Sequence, residues 1–194
     1  MKTVTRNYDI YEVNELSNEA RNRAYNNWLS NSCYYPYESD DNNTLDEFIR
    51  LFNIRLNNYN FSFESLNDEE IDEFSGLRLY KYLINNYWRC LFKHKIYYHK
   101  DYFTNGKKRL SNIFYTNDCV LTGVCSDEAI LEPIYNFLKK PNEYTNFLSL
   151  MRECLDSFFK YCSSCIEDYE SEENFIEICK ENDYTFLSNG VRFE

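Results

Sequence analysis

The sequence predicts a helix-rich α+β domain in which an N-terminal strand and a C-terminal hairpin share a small antiparallel sheet. Three observations predict it. Thr3 to Val13, "TVTRNYDIYEV", is rich in β-branched and aromatic residues, with partial alternation through Tyr8, Ile10 and Tyr11. The chain ends on "DYTFLSNGVRFE", two short β runs around Asn189-Gly190, a strong short-range hairpin signal. Between them, apolar residues recur at spacings of three and four over several helix-length stretches.

The elements follow in order. Ser17 offers a hydroxyl to orphan amides, and Glu19 in the first turn complements the dipole of the helix that begins there. Ala20, Ala24 and Trp28 fall four apart on one face of that helix, while Asn22, Arg23 and Asn26 face water. Two small side chains let the helix lie close against a sheet, and the indole caps the contact. "SNSCYYPYESDDNN" reads as a loop, after which Thr44 with Glu47 forms a capping box. The helix it opens carries Leu45, Phe48, Ile49, Phe52 and Leu56. "NYNFSFES" reads as a short strand, and "NDEEIDEF" as an acidic turn or helix start.

"GLRLYKYLINNYWRCLF" predicts a third helix, with Leu79, Tyr82, Leu83, Tyr87 and Cys90 roughly in phase. Lys93 to Asn112 has no clear period. Ser126 is placed to cap "DEAILEPIYNFL", which Pro133 should shorten or kink. The longest helix is expected after Pro141, on a stripe of Tyr144, Leu148, Met151, Leu155, Phe158, Cys162, Cys165 and Tyr169. Ser171 starts another helix, carrying Phe175, Ile178 and Cys179. With no repeat and no Gly/Ser/Pro linker, residues 1–194 are expected to form one compact domain.

Composition narrows the function classes. No signal-like apolar segment and no run able to span a bilayer is present, so a cytoplasmic protein with reduced thiols and no membrane partner is expected. The formal charge of −11 is segregated. Residues 37–74 hold eleven acids against Arg50 and Arg55, and the last 53 residues hold twelve acids against four bases. Residues 89–110 reverse the sign, with seven bases against Asp101 alone. Blocks of this kind either steer a charged partner or are solvated faces.

At each residue with candidate chemistry, packing is the competing account. Cys162 and Cys165 form a CxxC, Cys119 and Cys125 lie upstream, and His94 and His99 are the only histidines. A structural zinc site usually has two tight ligand pairs, and here one pair sits on an apolar stripe; core cysteines are the better account, with no metal site assigned. Cys125 precedes the expected Ser126 cap, where a helix start lowers a thiol pKa, but it has no readable base. With four glycines in all and no phosphate-cradling loop, neither a cofactor nor a catalytic constellation is assigned.

Two surfaces remain. Asp40, Asp41, Asp68, Glu69, Glu70, Asp72, Glu73, Glu167, Asp168, Glu170, Glu172 and Glu173 make up an acidic partner-binding set. Such carboxylate rows imitate the phosphate spacing of nucleic acid and would suit the basic groove of a nucleic-acid enzyme. The alternative is a small nucleic-acid-binding protein or enzyme using the basic and aromatic segment 93–109, where Lys93, Lys95, Tyr98, Lys100, Tyr102, Lys107, Lys108 and Arg109 interleave cations with stacking rings. The acidity of the whole chain opposes direct nucleic-acid binding. Dimerisation through exposed aromatics stays open.

"YDIYEVNELSNEARNRAYNNW" resembles a pattern common in small proteins of phages and prophages of low-GC Gram-positive bacteria, where a short strand leads into an ELS-x-EA-x-x-x-A helix. The matching residues are Glu15, Leu16, Ser17, Glu19, Ala20 and Ala24. Leu121 to Leu138 and the ending "ENDYTFLSNG" are similar to segments of such proteins. The resemblance covers about half the chain and carries no catalytic signature. It implies a non-enzymatic accessory protein in a bacterial host cell that binds host machinery. The sharpest form is an anti-CRISPR-like inhibitor of a defence nuclease or nucleoprotein complex; an antitoxin-type partner protein is the remaining alternative.

Overall fold

A computed structural model describes residues 5–31, 33–57, 60–65, 73–92 and 119–193, with the backbone alone for 55–57 and 60–65. The fold is helix-rich α+β. The chain divides into two compact units, one of residues 1–36 and 163–194 and the other of 37–162.

In the first unit, β1 (Tyr11–Glu12) leads through a 3₁₀ turn (Val13–Glu15) into α1 (Asn18–Asn31). The Ser17 hydroxyl accepts from the Ala20 amide at 3.3 Å, as a cap should. Five asparagines make α1 an intrinsically weak helix, so its packed stripe has to hold it. That stripe is Ala20, Ala24 and Trp28, all buried, against Phe175, Cys179 and Phe186. β4 (Thr185–Phe186) and β5 (Arg192–Phe193) form the C-terminal hairpin, and the antiparallel sheet runs β1-β4-β5. Tyr11 pairs with Phe186 and Thr185 with Phe193. The first strand is two residues long, and Thr5 to Ile10, expected to belong to it, are not strand.

The hairpin turn explains the small residues of α1. Gly190 has φ +83°, and a Cβ there would lie 2.1 Å from the Ala20 carbonyl oxygen. The Leu187 carbonyl accepts from the Gly190 amide at 2.8 Å and closes the turn. Helix and hairpin therefore meet backbone to backbone.

The second unit begins with α2 (Glu38–Phe52), seven residues earlier than a start after Thr44 requires. Two expectations fail here: "ESDDNN" is helix and not loop, and Thr44 with Glu47 is not a capping box. Glu38, Asp40 and Asp41 occupy the first turn, where the dipole favours acids. Thr44 then lies inside the helix, on its buried stripe with Phe48 and Phe52. Asn53, left-handed at φ 49°, ends α2 and donates its amide to the Ile49 carbonyl. Leu56 belongs to the following strand: β2 (Ile54–Asn57) pairs antiparallel with β3 (Asn60–Ser65), Ile54 opposite Ser65.

α3 (Gly76–Leu91) buries Leu79, Leu83 and Leu91; Tyr82 and Tyr87 are half-buried, and Cys90 is exposed instead of joining the stripe. α4 (Ser126–Lys139) runs its full length through Pro133, so the helix is not shortened there. Its N-cap is Cys125, with Ser126 as the first helical residue. α5 (Phe147–Tyr169) buries Leu150, Met151, Cys154, Leu155 and Phe158, and the division between the units falls within it. Tyr144, expected on the stripe, precedes the helix and is 96 % exposed. α6 (Glu172–Glu181) opens on Ser171, whose hydroxyl accepts from the Asn174 amide at 3.2 Å. The core of this second unit gathers around Phe48, Phe52, Leu79, Ile130, Phe147 and Met151. Among the described residues no helix is long and apolar enough to cross a membrane.

Candidate functional site

The acids of the predicted partner-binding set are scattered over both units. Asp40 and Asp41 lie in the first turn of α2; Asp41 is buried, so little of it faces a partner. Glu73 is exposed, and Asp68, Glu69, Glu70 and Asp72 lie outside the described residues. The basic and aromatic segment, Lys93 to Arg109, also lies outside them, as do His94 and His99.

The remaining five converge on the α5–α6 corner. Glu167, Asp168, Glu170 and Glu173 are exposed, and Glu172 is half-buried. The Tyr25 hydroxyl donates to the Glu170 carbonyl at 2.6 Å, fastening α1 to this corner. Burial raises the Tyr25 pKa, and the nearby Glu170, Glu172 and Glu173 carboxylates push it up further. The same crowding acts on Cys33, whose thiol is raised first by burial and then by Glu170. Among the described residues none of the five carboxylates has a Lys or Arg within ion-pair distance; the ion pair there joins Arg50 to Glu47 on α2. Tyr169 and Tyr35 meet edge to face at 5.8 Å beside the acids, and Tyr34 is 68 % exposed.

Sequence reasoning missed two features. One is the buried carboxylate of Asp127. Its Oδ2 accepts from the amides of Leu121 and Thr122, each at 2.8 Å, and of Gly123 at 3.1 Å. Its Oδ1 accepts from the hydroxyls of Thr122 at 2.8 Å and Thr44 at 3.0 Å. Five donors satisfy both oxygens, leaving no lone pair for a substrate. Asp127 is a clamp that ties the loop before α4 to α2. The signal lay in Thr44: a hydroxyl on a helix's apolar stripe needs a buried partner.

The other is a cleft of about 380 Å³ in the first unit. Ala24, Trp28, Phe175 and Phe186 are its buried lining, and Asn27, Asn31 and Arg192 its exposed mouth. The Arg192 guanidinium lies 3.5 Å from the centroid of the Tyr184 ring. The Asn31 amide donates to the Asn27 backbone carbonyl at 3.0 Å.

The cysteines divide by environment. Cys154 is fully buried and its thiol is pushed well up by burial; Cys179 is pushed up to about 11 by burial, partly offset by Arg192. Cys162 and Cys165 are half-buried on α5, and Cys125 is exposed at the start of α4. Among the described residues no three His, Cys, Asp or Glu side chains are placed to hold a metal ion. Comparison with protein-family models, with curated proteins and with solved structures finds no match.

Proposed function

We propose that this chain is a non-enzymatic accessory protein of phage or prophage origin that binds and blocks a host defence nuclease complex at its basic, nucleic-acid-handling surface. One observation carries the reading. Glu167, Asp168, Glu170, Glu172 and Glu173 are folded onto one corner with no basic partner among the described residues. Like charges gathered on one corner repel one another, though weakly at a wet surface. A cationic partner would turn that repulsion into attraction and speed encounter. Tyr35, which meets Tyr169 there, supplies amphipathic contact area, which interfaces favour. The phage-like N-terminal motif supports the host-defence context.

The test is DNA cleavage by a panel of guide-loaded nuclease complexes and restriction nucleases, with and without the chain. One of them should be inhibited, and the combined substitution E167K/D168K/E170K/E173K should relieve the inhibition, while K107E/K108E/R109E should not. Inhibition of none, or the opposite ranking of the two variants, contradicts the proposal; the second outcome favours a function in the basic segment.

A further inference from the structure

The 380 Å³ cleft is large enough for a small ligand and lies entirely within the first unit. Its chemistry is mixed in an informative way. Trp28 and Phe186 give it apolar walls. Its one cation, Arg192, stands in an acid-rich stretch: residues 163–193 hold eight acids and two bases. Even so, Arg192 pairs with no carboxylate among the described residues, and its flat face rests on Tyr184. A guanidinium held by stacking keeps its N–H edge available for a bidentate anion.

The other polar groups at the mouth are carboxamides. Asn27 and Asn31 stand one helical turn apart; Asn31 gives one N–H to the Asn27 backbone carbonyl, which leaves each carboxamide an acceptor and at least one N–H. A ligand that was only an anion would be better served by further cations. Carboxamides suit a planar edge that presents donors and acceptors together, the pairing by which Asn reads a nucleobase. Aromatic walls, a carboxamide pair and a single phosphate-binding guanidinium describe the complement of one nucleotide. We infer that the cleft between α1 and the C-terminal hairpin binds a nucleoside monophosphate. The base lies against Trp28 and Phe186, its edge meets Asn27 and Asn31, and the phosphate meets Arg192.

The lining holds one cation, so added phosphates find no new guanidinium there. The triphosphate of the same nucleoside should therefore bind no more tightly than the monophosphate.

This inference is independent of the nuclease proposal, since it concerns a small molecule and different side chains. The chain has two tryptophans, so W88F leaves Trp28 as the only indole, and its fluorescence reports on the cleft. AMP, GMP, CMP and UMP are titrated in turn, with calorimetry on the unsubstituted chain as a second readout that needs no variant. Saturable quenching and heat with at least one of them are expected. R192M should weaken that binding about tenfold or more, with R192K between it and the native chain. Three results overturn the inference: no saturable signal in either readout with all four, equal affinity in R192M, or equal affinity for N-acetylphenylalanine, which carries a ring and an anion but no base edge.

Discussion

At the scale of single residues, Gly190 and Asp127 carry disproportionate weight. Gly190 satisfies two demands at once: a φ of +83° and space against the Ala20 carbonyl. G190A should cost about 3 kcal/mol or more, read by urea denaturation followed through Trp28, because the added methyl meets backbone that cannot step aside. Gly76 is the control. Its φ is also positive, but a Cβ there meets nothing closer than 3.5 Å, so G76A should cost only about 1 kcal/mol. D127A would strand three loop amides and two hydroxyls, a loss on the order of 3 kcal/mol; D127N, which keeps one acceptor oxygen, should lose less. Ala20, Ala24 and Trp28 were legible because their spacing of four states the buried face directly. Asp127 was not, because its partners come from two segments far apart in the chain.

At the scale of elements, legibility followed the strength of the local signal. Ser171 is a cap in sequence and in structure, and S171A should lower stability by about 1 kcal/mol in thermal melts. Thr44 with Glu47 has the same local pattern and a different role. The chain upstream was already helical, so the hydroxyl was recruited by Asp127 rather than by orphan amides. Local pattern alone cannot separate these cases, since the choice rests on whether acids such as Glu38 and Asp40 start the helix about two turns earlier. Pro133 has a similar lesson. One missing amide is tolerated where Ile130, Leu131, Ile134 and Phe137 bury the helix on both sides of it. The terminal hairpin was legible from Asn189-Gly190, because a left-handed glycine at a two-sided β run leaves few alternatives.

At the scale of the whole molecule, charge dominates the first unit. Cys179 is buried there, and its pKa is raised from an ordinary 9.0 to about 11. A thiol raised on folding stabilises below its unfolded value and stops doing so as pH climbs through the folded one. The melting temperature should therefore fall between pH 9 and 11, and C179A should flatten that fall while lowering stability at pH 7. The acidic corner was only half legible. Composition identified acid-rich stretches, but which acids share a surface depends on Tyr25 fastening α1 to Glu170, a contact 145 residues apart in sequence.

The central claim is that Glu167, Asp168, Glu170 and Glu173 steer a cationic nuclease surface onto this corner. The direct measurement is the association rate with the inhibited nuclease complex across a salt series. The native chain should associate at least tenfold faster than the four-carboxylate variant at low salt, and the two should converge as salt rises. Equal rates at every salt concentration, or no complex with any nuclease, would contradict the claim.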